Sequence, residues 1–249
     1  MEYNVSQNDW PSVIAHRGAS GYAPENTLAA FTEAHRRGAN WVEFDVKLSK
    51  DNILIVFHDD DLVRTTNGYG LVADHTCKEI QSLDAGSWYS KTFANARVPT
   101  FEAVLHCLAE YSVGANIEIK PNLDQAEATT LTILESIKQN WPSSSPAPLL
   151  SSFELDCLHI ARKHDSDIAL GLLLDKWRDD WFILAEQIVC VSVHLHYEQI
   201  TPERVQMIHD RGYKVMVYTV NKSDLAKQLW QWGVDTLFSD YPDRMLALR

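Results

Sequence analysis

Short apolar runs rich in β-branched residues recur along the chain and alternate with stretches in which apolar residues return every three to four positions. That alternation marks repeated strand–helix units around a parallel sheet. The runs predict strands over 12–15, 41–46, 115–119, 148–152, 168–173, 189–193, 214–219 and 235–238. Helical patterns follow them, as in 28–34 after the first strand and 225–230 after the seventh. Eight such units in about 250 residues have the size of one TIM (β/α)8 barrel, whose active sites gather at the carboxyl ends of the strands. An open doubly wound sheet is the rival arrangement. The most loop-like run, Pro142–Pro148, is too short to divide the chain, so residues 1–249 read as a single domain.

One strand-like run, Ile53–His58, falls outside the eightfold count. It follows the second strand too closely for a parallel crossover, which needs a dozen or more residues. It is therefore expected to return antiparallel, with Asp51-Asn52 as a two-residue turn, Lys50 facing Ile53 and Asp45 facing His58. Residues 59–98 lack clean periodicity and carry turn signals such as Thr65-Thr66-Asn67-Gly68 and Ala85-Gly86. They read as an insertion over the barrel mouth, with Trp88, Tyr89 and Phe93 packing it down or touching a ligand.

The period of two identifies the candidate chemistry. Glu43 and Asp45 leave one face of their strand while Phe44 leaves the other, and Glu118 and Lys120 repeat the arrangement on the third strand. Acids thus point where a buried barrel strand should point apolar groups. Two carboxylates about 4 Å apart repel by about 4 kcal/mol at an effective dielectric of about 20, so a cluster of three needs a counter-charge. All-oxygen donors suit a divalent cation such as Mg²⁺ or Ca²⁺ better than zinc; the alternative is structural ion pairing, for instance with Lys120. His16 and Arg17 end the first strand, and the hairpin brings His58 to the same rim. Two imidazoles beside a cation, with Arg17 and Lys120 as donors to anionic oxygens, form a kit for phosphoryl chemistry. His194 and His196 share a face in or just after the sixth strand but have no evident third partner. Pro24-Glu25-Asn26-Thr27 reads as a helix start, with Asn26 or Thr27 as cap, whose amide and carboxylate beside His16 could also support the site. Ser151 sits in no nucleophile elbow and Gly68-Tyr69-Gly70 in no dinucleotide loop.

Composition narrows the partners. Lys+Arg of 22 against Asp+Glu of 34 gives a formal charge of -12, a field that opposes nucleic acid and stable association with anionic membranes. The cysteines Cys77, Cys107, Cys157 and Cys190 form no CxxC pair, which suits a reducing cytoplasm. The first ten residues lack the basic and apolar regions of a leader, and no run is long enough to span a membrane.

His16-Arg17-Gly18, Pro24-Glu25-Asn26-Thr27, Glu43-Phe44-Asp45-Val46, Val56-Phe57-His58-Asp59, Arg64-Thr65-Thr66-Asn67-Gly68, Glu118-Ile119-Lys120, Thr219-Val220-Asn221 and Ser239-Asp240-Tyr241-Pro242 together resemble the glycerophosphodiester phosphodiesterase family, in order and over nearly the whole chain. The length and compact insertion are similar to the cytosolic bacterial type. The resemblance implies a TIM barrel that hydrolyses glycerophosphodiesters, such as glycerophosphocholine and glycerophosphoethanolamine, to sn-glycerol 3-phosphate and an alcohol. It implies Glu43, Asp45 and Glu118 as metal ligands, His16 and His58 as acid and base, and Arg17 and Lys120 around the phosphate. Phe153 and Tyr218 fall where members line the substrate pocket, although many members carry tryptophan at the Tyr218 position. Attack by the glycerol 2-hydroxyl, with a cyclic phosphate hydrolysed afterwards, is the expected route, and direct attack by water competes with it. A lysophospholipid phosphodiesterase and a non-catalytic barrel are the alternative functions.

Overall fold

In a computed structural model of the protein, residues 10–249 are described; the amino-terminal residues read above for a leader, 1–9, lie outside them. The strands are β1 (Val13–Ala15), β2 (Trp41–Leu48), β3 (Leu54–Val56), β4 (Gly114–Ile119), β5 (Leu149–Ser152), β6 (Ala169–Leu174), β7 (Ser192–His196), β8 (Lys214–Tyr218) and β9 (Thr236–Ser239). Eight of them run in the order β1-β9-β8-β7-β6-β5-β4-β2, and a β1–β2 pairing closes the ring. All ring pairings are parallel, while β3 lies antiparallel on β2 outside the ring. The closed TIM barrel is thus present, and the doubly wound alternative is not.

Helices α1 (Leu28–Arg36), α3 (Phe101–Tyr111), α4 (Ala126–Asn140), α5 (Leu155–His164), α6 (Trp181–Ile188), α7 (Pro202–His209), α8 (Ser223–Gln231) and α9 (Pro242–Leu246) follow the ring strands, and the short α2 (Cys77–Ser82) lies in the insertion. Both faces of the ring are buried, which is why its strands read as near-continuous apolar runs. Outward residues such as Val42, Phe44 and Ile117 join the helices in the main core. Phe44 sits 5.5 Å from the Phe31 ring and 6.0 Å from that of Phe101, and full burial of one such ring contributes about 1.5–3 kcal/mol. Inward, Ile14, Trp41, Leu149, Ala169, Met216 and Phe238 close the barrel floor. Gly114 makes room for Trp41, since a β-carbon there would lie 2.5 Å from the indole.

Three expectations are corrected. The strand placed at 189–193 is β7, Ser192–His196; Val189 instead terminates α6 in the left-handed region at φ 50, so His194 and His196 belong to the strand itself. The hairpin register differs by one residue: Val46 faces Val56 and Lys47 faces Ile55, which puts Phe57 rather than His58 beside Asp45, with the Phe57 N–H donating to the Asp45 carbonyl at 2.9 Å. The cause is a three-residue loop, 50–52, closed by Ser49 and Ile53, in which Asn52 takes φ 59 and the Ser49 hydroxyl accepts from the Ile53 N–H. The insertion is also more ordered than its pattern predicts: Ile55, Phe57, Leu62, Val72, Ile80 and Val98 share a separate apolar cluster.

Candidate active site

The β2–β4 register sets Asp45 beside Glu118 and Glu43 beside Asn116, so strand parity alone directs the three acids inward at one end. Carboxylate oxygens of Glu43, Asp45 and Glu118 lie within 4.8 Å of one another. Each acid has a protein partner. Glu43 Oε2 accepts the Arg17 backbone N–H at 2.9 Å. Asp45 Oδ2 accepts from Asn26 Nδ2 at 2.8 Å and has Arg17 Nε at 3.4 Å. Glu118 Oε1 accepts from Lys120 Nζ at 3.1 Å. Arg17 reaches Glu43 because the chain turns sharply after β1, with Arg17 at φ 52 and Gly18 at φ 79; a β-carbon on Gly18 would meet the Ala30 backbone at 2.6 Å.

These partners do not neutralise the cluster. Burial, then repulsion from Asp45 and Glu118, pushes the Glu43 carboxyl well above its usual range. Burial and Asp45 raise Glu118 to about 7. Asp45, against the pull of its own burial, is held down to about 2 by Arg17, His58 and Lys120. The buried Asp45 Oδ1 has no hydrogen-bond partner among the described residues. Three converging carboxylates, two of them raised by burial and mutual repulsion and one with an orphaned oxygen, fit a hard divalent cation.

Both histidines stand on carboxylates. His16 Nδ1 is 2.7 Å from Asp240 Oδ1, and its Nε2 is 4.0 Å from Glu43 Oε2. Asp240 also accepts from Ser20 Oγ at 2.8 Å and Asn221 Nδ2 at 2.6 Å, and these bonds with His16 outweigh burial and hold it down to about 2. His58 Nδ1 is 2.6 Å from Asp59 Oδ1. Asp59 is gripped at both oxygens by Arg64, which also bonds Glu25, which in turn accepts from Arg17. That chain of charge ties the insertion to the loop after β1. Burial lowers the His58 pKa below the usual imidazole value, favouring the neutral ring. Although β3 ends at Val56, the following turn still brings His58 to the cavity.

The cavity, about 150 Å³, is lined by His16, Glu43, His58, Glu118, Phe153 and Tyr218, with Arg17 also at its wall. Phe153 and Tyr218 meet edge to face at 6.0 Å, and the Tyr218 hydroxyl donates to the Leu174 carbonyl at 3.0 Å. Lys120 lines the adjoining depression with His58 and Phe153. All nine residues singled out from the sequence are therefore gathered at one end of the barrel. Tyr89 meets both Trp88 and Phe93 edge to face, with centroids 5.7 Å apart in each pair, and the three line neither the cavity nor the depression. Thr27 caps α1 while Asn26 holds Asp45, so the helix-start motif serves both its readings. Asp59, Arg64 and Asp240 each stand inside a motif quoted above, yet their contacts are set by the fold and have no local signal. Asn116 does carry one, its inward position two residues before Glu118.

Over residues 16–244 the sequence matches the Glycerophosphoryl diester phosphodiesterase family. A glycerophosphodiester phosphodiesterase of Caldanaerobacter subterraneus subsp. tengcongensis is 34% identical over 236 residues, covering 95% of this chain and 96% of the relative. One from Bacillus altitudinis is 33% identical over 241 residues, covering 95% and 97%. The solved structure of an Oleispira antarctica phosphodiesterase in complex with the product sn-glycerol-3-phosphate is 39% identical, with a TM-score of 0.93 over 96% of both chains. These matches run the length of the barrel rather than over one motif, and so the chain belongs to the glycerophosphoryl diester phosphodiesterase family of phosphoric diester hydrolases.

Proposed function

We propose that the protein hydrolyses glycerophosphodiesters, glycerophosphocholine and glycerophosphoethanolamine among them, to sn-glycerol 3-phosphate and an alcohol. The observation that carries this reading is the triad of carboxylates within 4.8 Å sharing a cavity wall with two imidazoles. Glu43, Asp45 and Glu118 would hold a divalent cation, Mg²⁺ or Ca²⁺. Such a cation supplies positive charge against phosphoryl oxygens and acidifies a coordinated hydroxyl. Arg17 and Lys120 add fixed positive charge for the phosphate. His16 and His58 each have Nδ1 on a carboxylate, leaving Nε2 to exchange a proton with a reacting oxygen.

In the first step the glycerol 2-hydroxyl oxygen bonds to phosphorus as the bond from phosphorus to the head-group oxygen breaks. One imidazole takes the hydroxyl proton and the other gives a proton to the departing alcohol. Water then opens the cyclic phosphate, with the two imidazoles exchanging roles. Phe153 and Tyr218 flank the head-group side. No helix among the described residues is long and apolar enough to cross a membrane, and the four cysteines are unpaired; a cytoplasmic enzyme acting on a small diffusible diester, in glycerol and lipid breakdown, is part of the same proposal.

The test is release of glycerol 3-phosphate from glycerophosphocholine, with chelator and with added Mg²⁺ or Ca²⁺. Activity should vanish with chelator and return with the cation, and His16→Ala and His58→Ala should each lower kcat by about 10²–10⁴. No release under any condition sinks the reading. Normal turnover of a diester lacking the 2-hydroxyl would remove the cyclic intermediate and leave attack by water.

A further inference from the structure

Beside the three carboxylates stand polar side chains that the chemistry above does not use. Asn116 points inward from β4, two residues before Glu118, and Ser151 points inward from β5 beside Glu118. His194 enters from β7 over Gly171, where a β-carbon would lie 2.5 Å from the imidazole Nε2. Asn116, Ser151 and His194 are at most 1% exposed, yet all three line the cavity. Asn116 Nδ2 donates to Ser151 Oγ at 2.9 Å within the group, and His194 Nε2 is 2.8 Å from Ser192 Oγ beside it. Asn116 Oδ1 and His194 Nδ1 have no hydrogen-bond partner among the described residues.

A barrel interior rarely leaves two buried polar atoms unpaired beside one cavity unless something occupies it. Burial holds His194 down to about 3, so its ring is neutral and contributes no charge. Asn116, Ser151 and His194 thus carry no charge of their own, and the apolar Leu173 and Phe238 stand in the same wall. A small neutral group that both donates and accepts answers the unpaired atoms, and a hydroxyl is that group.

We propose that Asn116, Ser151 and His194 form a hydroxyl-binding subsite in the cavity wall that receives the terminal hydroxyl of the substrate's glycerol unit. This rests on the reading of the chain as a glycerophosphodiesterase. The glycerol end then points into the barrel while the head group leaves toward Phe153 and Tyr218 at the mouth, and selectivity is strict for glycerol and loose for the alcohol. Water offers the same hydrogen bonds, and the experiment separates the two occupants.

Glycerophosphocholine is compared with the phosphocholine diester of propane-1,2-diol, which keeps the 2-hydroxyl and lacks only the terminal one. The wild type should favour glycerophosphocholine in kcat/KM by about 10-fold or more, because a site built to bond a hydroxyl rejects the analogue that lacks it. Asn116→Leu, and Ser151→Ala as the milder variant, should shrink that preference to within about 3-fold by losing activity on the glycerol substrate alone. Competitive inhibition by sn-glycerol 3-phosphate and by the corresponding propanediol phosphate should show the same discrimination without turnover. Equal handling of the two diesters by the wild type, or a preference that survives both substitutions, means these side chains hold water only and overturns the proposal while glycerophosphodiesterase activity stands. Failure to release glycerol 3-phosphate from glycerophosphocholine overturns both.

Discussion

Asp240 stands 224 positions from His16 in the chain and 2.7 Å from it in space. A carboxylate on Nδ1 fixes which ring nitrogen faces the reacting oxygen, so Asp240→Asn should lower kcat by about 10- to 100-fold, a part of what acid–base catalysis contributes. KM should barely move. An unchanged kcat removes Asp240 from the positioning role. Gly171 makes a different prediction, about stability. A methyl group there meets His194 at 2.5 Å inside a closed ring, and overpacking of this kind costs about 1–3 kcal/mol. Urea unfolding of Gly171→Ala should show that loss, and a midpoint matching the wild type would mean that His194 moves aside freely. At this scale the sequence exposes what lies within one strand. Glu43, Asp45 and Glu118 betray themselves by polarity at inward positions, whereas Asp240 and Arg64 have no such local signal, because what gives them a part is a partner supplied by another segment.

The β2–β3 hairpin shows how far pattern reaches at the level of elements. Alternation finds the strand and its antiparallel sense, but register depends on how many residues the turn consumes, and Asn52 at φ 59 makes the loop one residue longer than a two-residue turn. His58 reaches the cavity nonetheless, through the turn beyond β3. What holds that turn is the insertion's own cluster, in which Ile55, Leu62, Val72 and Ile80 are fully buried. Ile80→Ala should therefore destabilise the insertion by about 2–5 kcal/mol and lower activity through His58, while hydrogen exchange in the ring strands stays slow. Exchange that quickens equally in β2 and in residues 59–98 would count against a separately opening insertion. The cluster was hard to read in the sequence because short helices and turns lack the run length on which periodicity depends.

For the molecule as a whole, pH and cation binding are linked through the acid triad. Glu118 is raised from the ordinary 4.5 to about 7, and Glu43 shifts the same way. The folded protein thus binds more protons than the unfolded chain between those values, and its stability falls as pH rises through that window. The depressed carboxylates, Asp45 and Asp240 at about 2, act in the opposite sense, and their contribution is lost only toward pH 2, outside the window. A cation binds the ionised acids, so the rise in Tm produced by saturating Mg²⁺ or Ca²⁺ should be larger at pH 8 than at pH 5. A shift of equal size at both values refutes the linkage. We propose that barrel and insertion form one domain, which predicts that these melts are single transitions in each condition. The sequence by itself determined the strand–helix alternation, the inward acids and the family motifs, because each is written in residues close together along the chain. Closure of the ring, the hairpin register, the Asp240 and Arg64 contacts and the polar group beside the carboxylates were decided only by the tertiary structure, since each depends on how distant segments are brought side by side when the sheet closes.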